Sequence, residues 1–186
     1  MRTPGGLERT GEQVVTTVFE ARRRLDNYIL RLQAKVEAPV FDRLLPWLMA
    51  ATLGLILTLL ALARHQDLGL GEQIGNYLQA LHLIETGKPA VVSELGLDVF
   101  AIQAAWVIWP ISWLAQVLPR AETILTIQGF ALGLGVVPLW RIARGPANLR
   151  LGAAGALVFA YALHPSVHNL NLSGFHPEAL ALPALM

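Results

Sequence analysis

The feature that most constrains this chain is residues 44–63, twenty consecutive residues without a charge, bracketed by Arg43 and Arg64. As a helix rising about 1.5 Å per residue, such a run reaches roughly 30 Å, the thickness of a bilayer's hydrocarbon core. It is too long for the apolar core of a signal peptide and begins too far from Met1, so it reads as a retained anchor. Composition agrees: of 186 residues, 54% are apolar and 15% charged, and the mean hydropathy is +0.50. Soluble domains lie nearer to about 45–50% apolar and about 25% charged, so too little charge remains here to cover a water-facing surface. Disorder would need low hydrophobicity and high net charge, and neither is present. A formal net charge of +1 with no arginine-rich groove argues against a nucleic-acid partner. With no cysteine, disulfides, thiolate metal sites and cysteine nucleophiles are excluded.

Charge is unevenly distributed. Residues 1–43 hold eight of the fourteen Lys and Arg and six of the thirteen Asp and Glu, while the other 143 residues carry thirteen charges. The chain therefore reads as a polar N-terminal segment, 1–43, followed by a membrane domain, 44–186. Val14, Val18, Leu25, Ile29, Leu32 and Val36 keep a helical period and predict an amphipathic helix within 7–38. Arg22, Arg23, Arg24, Arg31 and Lys35 lie among them, so this helix either rests on an anionic leaflet or is a solvated or partner-binding helix.

Beyond the anchor, residues 64–98 are polar, with five acids against Arg64 and Lys88. Two uncharged stretches follow, 99–119 and 123–140, then a loop holding Arg141, Arg144 and Arg150. Residues 151–163 are apolar and rich in small side chains, Gly152 and Gly155 among them, which suits close helix packing. Cytoplasmic loops collect Lys and Arg, which puts the N-terminus inside and residues 64–98 outside. The triple-Arg loop then lies inside only if one of the two uncharged stretches crosses. Residues 99–119 are the ones assigned to the surface, because Trp106, Trp109 and Trp113 recur at helical spacing, with Gln103 on the same stripe and Pro110 between. Trp favours the membrane–water interface; the alternative is a spanning helix with Trp on its packing face.

The expected architecture is thus an all-α, multi-spanning integral membrane protein of the plasma membrane with a cytoplasmic N-terminus. Crossings are expected at about 44–63, 123–140 and 150–165, with the start of another at 178–186 and a surface helix at about 99–118. Because the final apolar run stops well short of the roughly 20 residues a crossing needs, the chain reads as incomplete.

Polar residues that could carry chemistry fall on the expected outer side. Asp67, just past the anchor and followed by Leu68-Gly69 and then Glu72, is placed to act as a general base on an acceptor hydroxyl, or is a solvated loop acid. Asp98 stands where an acid caps a helix N-terminus. His164 and His168 are four apart, as metal ligands on a helix can be, but Pro165 interrupts and no carboxylate lies between, so hydrogen-bonding His is the competing reading. No cofactor is predicted, and a divalent metal has no further support. Phe175-His176-Pro177-Glu178 carries helix-start signals, Pro at the first position and Glu in the first turn. No phosphate-cradling Gly loop, G-x-S-x-G or H-E-x-x-H occurs.

Read in order, several elements form a pattern: Asp67-Leu68-Gly69 after the anchor, Gly87-Lys88-Pro89, Leu125-Thr126-Ile127-Gln128-Gly129, Pro138 to Arg144, Tyr161 to Pro165, and Phe175-His176-Pro177-Glu178. This order, over about residues 64–186, resembles the N-terminal part of the prokaryotic membrane-protein family called domain of unknown function 2079. One departure is Asp98-Val99-Phe100, where that family tends to carry an Asp-His-Phe-like motif; the missing His weakens a catalytic or ligand role near Asp98. The family in turn looks like distant kin of the class C glycosyltransferases, which take sugar from a polyprenyl-phosphate carrier on the outer face. The resemblance implies a polyprenyl-phosphate-linked sugar donor, a lipid bilayer as surroundings and Asp67 as general base, with Glu72, Asp98, His176 and Glu178 as candidate substrate-binding residues. Two other classes stay open. A transporter would set ionisable groups inside its spans, which lack Asp, Glu, Lys and Arg here; a non-enzymatic assembly or scaffold protein would use the small-residue face around Gly152 and Gly155.

Overall fold

The computed structural model describes residues 39–69, 71, 73–94, 96–102 and 105–185. The helix expected within 7–38 lies outside these residues, as do Glu72 and Gln103. The chain divides into two compact units after Asp42, and the fold described is that of the second, residues 43–186.

Helix α1, Pro39–Gln66, contains the uncharged run and continues past both of its ends. Arg64 and His65 occupy its last turn, where positive charge meets the negative end of the helix dipole. A small subdomain follows, made of α2 (Gln73–Glu85), the antiparallel pair β1 (Val91–Val92) and β2 (Leu97–Asp98), α3 (Val99–Ile102) and α4 (Ile108–Ala115). The pair is in register Val91 to Asp98 and Val92 to Leu97. The helix expected over 99–118 is therefore two short helices. Pro110 gives the reason: it lacks an N–H and fits only the first turn of a helix, so α4 starts just before it.

The chain then enters α5 (Arg120–Leu134) and α6 (Val136–Arg144), which together form one apolar run of 25 residues. Val40–Gln66 and Arg120–Arg144 are the two stretches among the described residues that are long and apolar enough to cross a membrane. Arg120 starts α5 with a two-pronged ion pair to Glu85 at the end of α2, its Nε lying 3.1 and 2.9 Å from the two carboxylate oxygens. That contact ties the subdomain to the apolar helices.

Next come α7 (Leu151–Ala162) and α8 (Pro165–Ser173), a 3-10 turn (Pro177–Ala181) and α9 (Leu182–Leu185). Pro165 interrupts the helix because it cannot donate to the carbonyl one turn back. Two imidazoles repair the break. His164 Nδ1 accepts the Ser166 N–H at 3.2 Å, and His168 Nε2–H donates to the Ala162 carbonyl at 2.8 Å. Contacts step steadily along the neighbouring run: the Tyr161 hydroxyl donates to the Leu132 carbonyl, and Gln128 reaches Leu170 and Gly174. Helices α7 and α8 therefore climb alongside α6 and α5 as one interrupted helix.

Two cores result. In the first, Ile74, Tyr77 and Leu81 of α2 meet Ile108 and Ile111 of α4, with Ile124, Leu125 and Phe175 beneath. In the second, Leu53 and Leu57 of α1 meet Leu132, Val136 and Trp140, with Val158 and Val167 completing it. Helices α1 and α5 touch backbone to backbone at Gly129 and Gly133. A Cβ on Gly133 would lie 2.5 Å from the Ala50 carbonyl oxygen and 2.7 Å from Gly54 Cα, and one on Gly129 would lie 2.9 Å from Thr58 N. Glycines four apart let two helices approach this closely. By contrast, a Cβ on Gly152 or Gly155 would meet nothing within 4 Å, while Ala154 between them is buried in the second core.

Candidate functional site

The site begins where α1 ends. The Gly69 N–H donates to Arg64 O (2.9 Å) and the Leu68 N–H to His65 O (3.0 Å), the paired bonds that close a helix through a left-handed residue. That residue is Leu68, at φ 55° and exposed. A left-handed non-glycine costs about 1 kcal/mol, so Leu68→Gly is expected to raise stability by about that amount in thermal unfolding of the detergent-solubilised protein. Unchanged or lower stability would show that the Leu side chain is held by something else. The turn presents Asp67 to solvent.

Gly71 then joins this loop to the far end of the chain. Its N–H donates to the Ser173 carbonyl at 3.1 Å, and a Cβ there would lie 2.8 Å from the same oxygen. Ser173 closes α8 and starts a chain of polar contacts. Its hydroxyl lies 2.8 Å from His176 Nε2, and His176 Nδ1 lies 3.2 Å from a Glu178 carboxylate oxygen. One tautomer satisfies both: Nδ1–H donates to Glu178 and Nε2 accepts from Ser173.

Gln128, in the middle of an apolar helix and fully buried, fixes this segment from below. Its Nε2 donates to Leu170 O (3.2 Å) and Gly174 O (2.9 Å), and its Oε1 accepts the His176 N–H (2.6 Å). Gly174 makes the turn at φ 147°, and Phe175 drops into the first core, its ring 5.1 Å from Tyr77 at 84°. Burial, and secondarily the charge of Glu178, push the Tyr77 hydroxyl up to about 12, so it stays a neutral neighbour to the site.

The other candidates lie elsewhere. Asp98 accepts the Phe100 N–H at 2.9 Å and caps α3. Glu72 lies outside the described residues. His164 and His168 are both engaged with backbone at the Pro165 break, and no group of three or more potential metal ligands occurs among the described residues. Trp106, Trp109 and Trp113 are exposed, while Ile108, Ile111 and Ala115 of the same segment are buried. Phe100 stacks on Trp106 and Trp109, at 5.3 and 6.3 Å.

Sequence reasoning quoted Gln128 within a motif but assigned a role neither to it nor to Ser173. A single amide in an uncharged helical run is a signal in its own right, because an unpaired polar group there is costly. Chemically, an imidazole held by a carboxylate on one nitrogen and bonded to a hydroxyl on the other can accept a hydroxyl proton. Two long apolar helices packed through glycine fit a membrane protein.

The chain belongs to the family described as Predicted membrane protein (DUF2079), whose model matches residues 64–186. The matched residues are the stretch over which the sequence reads as resembling that family. No curated protein and no solved structure matches the chain significantly.

Proposed function

We propose that this protein is a multi-pass membrane enzyme that moves a sugar from a polyprenyl-phosphate carrier to an acceptor hydroxyl on the outer membrane face, with Asp67 as general base. The observation that carries this reading is the bond from the Gly71 N–H to the Ser173 carbonyl. It joins the loop bearing Asp67 to the Ser173–His176–Glu178 chain, so that two acids and an imidazole belong to one end of the apolar helices. The direction of the helices supports the same orientation. With Arg141, Arg144 and Arg150 in a cytoplasmic loop, the antiparallel α1 puts Asp67 outside, and α7 with α8 returns to that side. Those two helices run over 151–173, about 34 Å at helical rise, enough for a third crossing. The exposed Trp stripe then lies at the outer interface.

A second assignment of the base is favoured by the geometry of His176, whose Nε2 already holds a hydroxyl at 2.8 Å. Transfer from a radiolabelled polyprenyl-phosphate sugar, assayed in vesicles with the full-length protein, separates the two. Asp67→Asn is expected to lose about 100-fold or more, the usual worth of a positioned base, at normal insertion. Loss in His176→Gln alone would move the base to His176. Absence of transfer by the correctly inserted wild type would remove the enzyme reading and favour a scaffold protein.

A further inference from the structure

An open cavity of about 580 Å³ lies between residues 105–107 and 177–181. Trp106, Val107, Leu180 and Ala181 supply apolar walls, and among the described residues Glu178 is the one charged residue that lines it. This volume falls within the roughly 300–1,000 Å³ of small-molecule sites. Apolar walls with a single polar edge suit an amphiphile, and the charge of that edge selects its head. Glu178 is acidic and 60% exposed, so a phosphate head would be repelled, while a hydroxyl could donate to the carboxylate beside the His176 contact. Trp106 also belongs to the exposed stripe with Trp109 and Trp113, side chains that favour the depth where amphiphile heads sit.

We propose that this cavity binds a long-chain alcohol, its hydrocarbon part against Trp106, Val107 and Leu180 and its hydroxyl on Glu178. The inference rests on the glycosyl-transfer reading for one consequence: the acceptor is an amphiphilic alcohol rather than a water-soluble sugar. Binding itself is independent of that reading.

The test uses the full-length protein in phosphatidylcholine nanodiscs and a hexadecanol carrying a mid-chain diazirine, with crosslinked peptides mapped by mass spectrometry. Crosslinks are expected to concentrate on the peptides holding 105–107 and 177–181. Glu178→Leu is expected to weaken labelling there about tenfold, the loss of a hydrogen bond to a charged group. Ala181→Trp, which fills the cavity with an indole, is expected to abolish it. The phosphate ester of the same chain should compete poorly. Labelling spread evenly over the exposed faces of α1 and α7, or better competition by the phosphate ester, would overturn the proposal. Site-specific labelling without sugar transfer to the alcohol or any other acceptor would leave the site standing and remove the transferase reading. Transfer to a soluble acceptor with unspecific labelling would do the reverse.

Discussion

Replacing Gln128 with Leu is expected to cost the protein both stability and its candidate site. The side chain is fully buried and holds three backbone groups, the carbonyls of Leu170 and Gly174 and the N–H of His176. Leucine fills nearly the same volume, so no cavity opens and the whole effect comes from polar groups left unpaired. Each such group costs about 1–3 kcal/mol when buried, which sums to roughly 3 kcal/mol or more. The segment that carries His176 would then lose its seat, and the Ser173–His176–Glu178 alignment with it. Thermal unfolding in detergent should shift down clearly, and any transfer activity should fall as far as in His176→Gln. Gln128→Glu discriminates further: buried in its neutral, protonated form it can still accept the His176 N–H and donate to one of the two carbonyls, so an intermediate loss is expected. A Gln128→Leu protein as stable and active as wild type would show that these bonds do not hold the turn.

Gly133→Ala is the second large effect. One added methyl would sit 2.5 Å from the Ala50 carbonyl oxygen, 2.6 Å from Gly54 N and 2.7 Å from Gly54 Cα. These are backbone atoms of a helix and cannot rotate away, so α1 and α5 must separate along their contact. Overpacking of this kind costs about 1–3 kcal/mol, sometimes more, and larger residues such as Leu are expected to prevent accumulation of folded protein. Gly152→Ala supplies the contrast. Nothing lies within 4 Å of its Cβ position, and Ala gains up to about 1 kcal/mol of helix propensity over Gly. Equal destabilisation by the two substitutions would mean that α1 and α5 do not meet at Gly133.

The apolar helices were legible because hydropathy over twenty residues needs no knowledge of partners. Residues 44–63 and 123–140 each lie inside a longer helix, α1 and the α5–α6 run. Breaks were less legible. Pro110 and Pro165 were visible, but whether a proline bends, starts or ends a helix depends on what else can satisfy the freed backbone. At Pro165 that answer is His164 and His168, which share a spacing with metal ligands and instead serve the chain itself. Small residues of α7 divide between two faces: Ala154 is buried in the second core, and Gly152 and Gly155 face open space. Gly152 and Gly155 stand out in composition, but close contact depends on which face meets a neighbour, in α7 that of Ala154 and in α5 that of Gly129 and Gly133.

The site was legible only in its local part. Ser173, His176 and Glu178 lie within six residues, and Phe-His-Pro-Glu drew notice as a helix start. The bonds that hold them come from Gln128 and Gly71. Both act through backbone carbonyls and amides far away in sequence, which leave no residue pattern to read. Asp98 shows the opposite case, since a cap two residues before its amide partner is a short-range feature and is found in place.

The central claim is that the Asp67 loop and the Ser173–Glu178 segment share the outer side of a membrane, opposite the loop of residues 145–150. Residues 1–186 contain no cysteine, so a single cysteine placed among them, in a parent without other cysteines, reports side directly. Leu68→Cys, Ser173→Cys and Asn148→Cys would each be treated with a membrane-impermeant maleimide in intact cells and again after permeabilisation. The account predicts labelling of the first two in intact cells and of Asn148→Cys only after permeabilisation. Labelling of Leu68→Cys and Ser173→Cys on opposite sides, or of Asn148→Cys from outside, would contradict it.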